Sequence, residues 1–264
     1  MMEMTRTLRL PQKWLKKMVN EALLTSGGDV PFKEAGLIVH QPTLYEIGLI
    51  GGETEFRWGC EVLNLSKETL LEQDKTVLDK VDIFDIFMKL MNDHDKNMYA
   101  LKESAIHVLS IIFPSYEMTI GEDALIFTKD SETNYIRKDT FPIFQQILVD
   151  ICCLKSHDGD KSFNPKDGIA KQIAEKLKKG RAQAALSKKD NKISILSRYA
   201  SCLAIGLHID LRVPTGYTVF QIYDQYKRYS LWEANEMIKA ARLAGVKDLE
   251  DPEDWRQDLH PDIK

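Results

Sequence analysis

Six histidines, His40, His94, His107, His157, His208 and His260, are the side chains best suited to proton transfer or metal ligation near neutral pH. No two of them stand in the HExxH arrangement that presents a pair of ligands on one helical face. His94 is flanked by Asp93 and Asp95, but adjacent positions point apart, so the trio reads as a solvated loop. His157-Asp158-Gly159-Asp160 begins like a calcium loop. Lys161, Phe163 and Pro165 then break the alternation of oxygen ligands that such a loop needs. The four cysteines, Cys60, Cys152, Cys153 and Cys202, include an adjacent pair and no CxxC, which suits reduced, buried thiols. Gly51-Gly52 belongs to no phosphate-binding GxxxxGK[ST], and neither GxGxxG nor a GxSxG elbow occurs. The residues therefore predict no catalytic set, no metal and no cofactor: a protein that acts by binding and not as an enzyme.

Charge supplies the other chemistry. Residues 161–192 hold ten lysines and arginines against three acids, although the 264-residue chain has a net charge of −4. Such a stretch can dock on an acidic partner or a polyanion, or can be a solvated helix face. With an isoelectric point near 5.9 overall, a general nucleic-acid binder is not expected. The aromatic run YTVFQIYDQYKRY could stack on bases, but its spacing of about three suits a helix that packs against its own protein. Hydrophobic residues make up 44% and charged residues 29%, enough apolar surface for a real core. No stretch approaches the ~20 apolar residues needed to span a bilayer, and the first residues lack the pattern of an export signal.

The elements that would carry these residues are mostly helices. Trp14, Leu15, Met18, Val19, Ala22 and Leu23 recur at helical spacing up to Gly27-Gly28. Leu37–Val39 reads as a short strand, and Pro42 sits where a first helical turn tolerates it, with Glu46 near the positive helix end. Residues 53–65 follow as a helix with Phe56 and Cys60 on one face. Asp82 is placed to cap a helix whose stripe is Ile83, Ile86, Phe87 and Leu90. A longer helix then runs towards Pro114. The turn KDSETN between Ala124–Phe127 and Tyr135–Ile136 predicts a hairpin. The helix FPIFQQILVDICCL is apolar nearly all round, so it is expected to be buried. SHDGDKSFNP marks the main boundary. Beyond it, Leu196, Ala200 and Leu203 share a helix face, 210–214 reads as a loop, and Val219, Ile222, Tyr226 and Tyr229 form a stripe before Gly245. Asp251-Pro252 should open one last short helix.

The expected fold is thus mainly α with a small β element, one hairpin and a short strand, in which two helical segments are joined by a basic helical connector. The divisions are 1–155 with the hairpin near 123–137, the connector 156–192, and a small helical bundle over 193–264.

Several segments together resemble a group of tailed-phage and prophage proteins, encoded near the tape-measure gene and treated as tail-assembly chaperones. They are NPKDGIAKQIAEKLKKGR, ISILSRYASCLAIGL and TVFQIYDQYKRYSLWEANEMIKAARLAGVKDLEDPEDW, with HQPTLYEIGLIGG and DTFPIFQQILVDICCL in the first half. The four cysteines and the insert SHDGDKSF depart from that pattern. The resemblance implies a protein of the bacterial host cytoplasm that holds tape-measure or tail-tube protein during tail morphogenesis. The alternatives are a structural protein kept in the virion tail, baseplate or neck, and a phage nucleic-acid-binding protein using the basic connector. Aromatic anchors dominate interfaces, so the contact residues expected are Trp14, Tyr226, Trp232 and Trp255, with Lys176, Lys178, Lys179 and Arg181 supplying charge. Phe220 and Tyr223 are read as core. A homo-oligomer remains open.

Overall fold

In the computed structural model, residues 19–66, 82–93, 99–154, 194–246, 250–257 and 259 are described. The helix carrying Trp14, the basic connector, and His94, His157 and His260 lie outside them. Element by element the chain runs α1 (Glu21–Ser26), β1 (Val30–Phe32), β2 (Leu37–Val39), α2 (Leu44–Leu49), α3 (Glu53–Leu63), α4 (Ile83–Asn92) and α5 (Tyr99–Ile112). It continues through β3 (Glu117–Ile120), β4 (Leu125–Lys129), β5 (Glu132–Ile136), α6 (Phe141–Cys152), α7 (Ile195–Gly206), α8 (Arg212–Thr215) and α9 (Val219–Leu243). The fold is mainly helical with small β elements.

Local chemistry sets many of these boundaries. Asn20 lies outside α1 and caps it, accepting from the Ala22 amide, and Gly27 closes it in a left-handed conformation at φ 71°. Thr43 caps α2 in a reciprocal box with Glu46, so Pro42 sits just before the helix rather than in its first turn. Asp82 caps α4 through the Phe84 amide. The hairpin turn between β4 and β5 puts Asp130 and Ser131 at positive φ, as a two-residue loop between twisted strands requires.

Packing centres on α6. Phe141, Ile143, Phe144, Ile147, Leu148, Ile151 and Cys152 of that helix are all buried. Their rings continue into neighbouring elements: Phe141 lies 5.1 Å from Phe84 and 4.8 Å from Phe87, and Phe144 lies 5.8 Å from Phe113. Phe113 in turn meets Phe127 of β4 at 4.5 Å. Full burial of each such ring contributes roughly 1.5–3 kcal/mol before ordering costs. This aromatic chain joins α4, α6, β4 and the end of α5 into one core.

Five further expectations change. The strand at 37–39 is one arm of a hairpin with β1, in register Val30↔Val39. The predicted hairpin gains a third, antiparallel strand, β3, paired Met118↔Phe127. On α4 the buried side is Phe84, Phe87, Met88 and Met91: of the expected Ile83, Ile86, Phe87 and Leu90 stripe Phe87 is buried, and the other three are only partly so. Residues 212–215 are a short helix, while the predicted helix after Asp251 is a turn closed by the Gln257 amide on the Asp254 carbonyl.

The C-terminal helices share this core. Leu196, Val219, Phe220 and Ile222 are buried with the residues of α3 to α6. Backbone bonds fasten the join: Leu44 donates to the Tyr217 carbonyl and Val219 to the Pro42 carbonyl, and Thr43 and Thr218 form an antiparallel bridge. Glu53, at the start of α3, accepts from both the Ser194 hydroxyl and the Leu196 amide, which fixes where α7 begins.

Candidate interaction surface

The polar clusters have geometries that serve structure. His40 bridges two carboxylates, with Nδ1 2.8 Å from Asp29 and Nε2 3.1 Å from Glu46. Both ring nitrogens must donate for this geometry, which is that of the imidazolium. Partial burial works against that charge, but the Asp29 hydrogen bond and the nearby Glu46 carboxylate outweigh it and hold the His40 pKa above its ordinary value. The ring thereby ties the α1–β1 loop to the capping box of α2. In a second cluster Ser104 donates to Glu55 at 2.7 Å, and His107 Nδ1 lies 3.5 Å from the same carboxylate oxygen. The carboxylate stands between hydroxyl and imidazole, and Ser104 is fully buried. With no exposed surface the hydroxyl offers a substrate no access, and the bond to Glu55 ties α5 to α3.

Two of the four thiols are set against reactivity. Burial pushes Cys153 up to about 12, and Cys152 is raised well above its ordinary value by burial and by the hydrogen bond with Cys60. Among the described residues no group of three His, Cys, Asp or Glu side chains could hold a metal ion.

The surface that remains is aromatic and apolar, and α9 carries much of it. The first turns of this 25-residue helix are buried through Val219, Phe220, Ile222 and Asp224. Tyr223 and Tyr226 then close on α7: Tyr199 stacks on Tyr226 at 3.8 Å and meets Tyr223 edge-on at 5.7 Å. Burial beside these neighbours pushes Tyr223 up to about 12. Tyr226 is thus held by Tyr199 and half-buried, and Phe220 is core as expected.

After Asp224 no residue of α9 is buried. Trp232 leans on Tyr229 with ring centres 5.9 Å apart, yet remains exposed, as do Met237 and Leu243. Met237 falls on the helix side that includes Tyr226, Ala234 and Ala241, so the core-facing stripe runs on past the point where α7 ends. A smaller apolar area is formed where α8 meets α2, with Tyr45, Leu49, Leu211 and Val213 exposed. Its α8 members were hidden in the sequence, where 210–214 reads as a loop.

Trp255 sits in a C-terminal strap laid back along α9. Arg242 pairs with Asp251 at 2.5 Å, Asn235 donates to the Glu253 carbonyl at 2.8 Å, and Arg228 donates to the carbonyls of Trp255 and Gln257. These three α9 residues are spaced by seven, a periodicity that could have exposed them as one stripe. Trp14, Lys176, Lys178, Lys179 and Arg181 lie outside the described residues.

No protein-family model, curated protein or solved structure matches the chain. Among the described residues no helix is long and apolar enough to cross a membrane.

Proposed function

We propose that this protein is a non-enzymatic docking protein that receives an amphipathic helical segment of its partner along the distal half of α9. In the setting to which the sequence resemblance points, it is a tail-assembly protein and that segment belongs to the tape-measure protein. The observation that carries the reading is the Met237 side of the distal half of α9, where the stripe continues from the core-facing turns through Ala234 and Ala241 and Met237 is 68% exposed. A helix gains most of its stability by packing an apolar face, and here the face persists on the Met237 side, opposite the C-terminal strap, without a covering element there among the described residues. A second helix laid along it buries apolar area and needs no reacting group, the recognition mode of helix-in-groove complexes. A tape-measure protein offers long helices with apolar stripes of that kind.

The test is co-expression of the tagged chain with the tape-measure protein of the same phage genome, beside mass spectrometry of purified particles. Capture of the tape-measure protein is expected, with the chain absent from particles. Ala234→Asp/Met237→Asp should reduce capture at least about tenfold while leaving far-UV circular dichroism unchanged. Undiminished capture by the double variant would remove α9 from the reading. Stoichiometric presence in particles would replace it with a structural role in the virion.

A further inference from the structure

The strap along α9 has the form of a bound ligand. It runs antiparallel to the helix, since Asp251 meets Arg242, Glu253 meets Asn235, and Trp255 and Gln257 meet Arg228. Seven residues are close to two helical turns, so the three α9 side chains form one straight row. They read the strap in two ways. Arg242 takes a carboxylate, whereas Asn235 and Arg228 take main-chain carbonyls, which any peptide can offer. The remaining polar groups of the strap are satisfied within it: Arg256 forks onto Asp254, and Gln257 donates to the Glu253 carboxylate at 3.2 Å. Asp251 is therefore the carboxylate that α9 recognises.

We propose that the row Arg228–Asn235–Arg242 is a binding site for a short acidic peptide lying antiparallel to α9, and that residues 251–257 occupy it in cis. The matching chemistry argues for the occupant: a peptide with a carboxylate for Arg242 and main-chain carbonyls for Asn235 and Arg228, whose Nε is held by Asp224, reproduces the contacts of the strap. The cis occupant is held loosely enough to exchange. The Asp251 side chain is 87% exposed, the two Arg228 bonds are 3.3–3.4 Å long, and Trp255 is 39% exposed. A site on a rigid helix, filled by a weakly held copy of its own ligand, is a competitive gate: an acidic segment from a partner enters as the strap leaves. The row is nine residues, or about two and a half turns, from Met237 at its Arg228 end. It therefore lies on the opposite side of α9 from Met237, and this site stands or falls independently of helix docking there.

The experiment titrates a fluorescein-labelled peptide of sequence EDPEDWRQDL, residues 250–259, against three full-length chains by fluorescence anisotropy. They are the unsubstituted chain, Asp251→Ala/Trp255→Ala, which loosens the strap without touching α9, and that double variant carrying Asn235→Leu/Arg242→Glu as well. The loosened chain should bind the peptide at least about tenfold more tightly than the unsubstituted chain, and added salt should weaken binding. The four-fold variant should lose the binding with its circular dichroism intact. The proposal is overturned if the loosened chain fails to bind, if it binds no better than the unsubstituted chain, or if binding survives Asn235→Leu/Arg242→Glu.

Discussion

Asp150 shows how one side chain can work against its own fold. It sits near the end of α6, half-buried, and accepts from Gln146 at 2.9 Å. Burial raises its pKa to about 6, against a smaller lowering from the Gln146 amide. A carboxyl whose folded pKa exceeds its unfolded one favours the folded state most fully below the unfolded value, near 3.9. That contribution is lost as pH rises through the folded value. Above about pH 6 the folded chain holds an ionised carboxylate in a site that disfavours it. Asp150→Asn should therefore stabilise the protein at pH 7, on the order of 1–2 kcal/mol, and the gain should vanish towards pH 4. Urea midpoints measured at both values decide it, and an equal gain at pH 4 would remove ionisation as the cause. Nothing in the sequence marks this residue. Asp150 reads as the one acid on an apolar helix, and only tertiary packing buries it.

Among the elements, α3 and α5 lie backbone against backbone at Gly59. A Cβ added at Gly59 would meet the Ser104 carbonyl oxygen at 2.3 Å and Val108 at 2.4 Å. Alanine would gain about 1 kcal/mol of helix propensity, but the obstacle is backbone and cannot rotate aside. Overpacking of this kind costs about 1–3 kcal/mol, so Gly59→Ala should lower stability overall. A denaturation midpoint unchanged or raised would show that α3 can slide.

The elements were largely legible because their boundaries rest on local chemistry: Asp82, Gly27 and the Asp130-Ser131 turn act within a few residues. Faces were harder. On α4 both the Ile83–Ile86–Leu90 and the Phe84–Phe87–Met91 sides are apolar, so periodicity cannot choose between them; the Phe141 ring of α6 does. Short strands such as β1 and β3 escaped because three or four residues hold too little alternation to register. The stripe of α9 could be read, but where its cover stops could not, because that depends on the length of α7.

At the scale of the whole molecule, segments distant in sequence hold each other. Besides the Thr43–Thr218 bridge, Gln221 donates to the Thr25 carbonyl at 2.9 Å, and Phe220 is buried with the phenylalanines of the first half. Unfolding should accordingly be one transition. Two single-tryptophan variants, one keeping Trp58 on α3 and one keeping Trp232 on α9, should report the same urea midpoint. Midpoints separated by more than the error of each curve would mean that the two halves melt apart.

That closure has a consequence for synthesis. Gln221 lies 196 residues beyond Thr25, and chain elongation adds roughly 5–20 residues per second. For roughly 10–40 s on the ribosome, the pocket destined for Phe220 is empty and the phenylalanine chain around α6 is open on that side. The nascent first half must wait, sticky, for its last partner to be translated. The protein is thus most dependent on the cell's own chaperones before its C-terminal helices emerge.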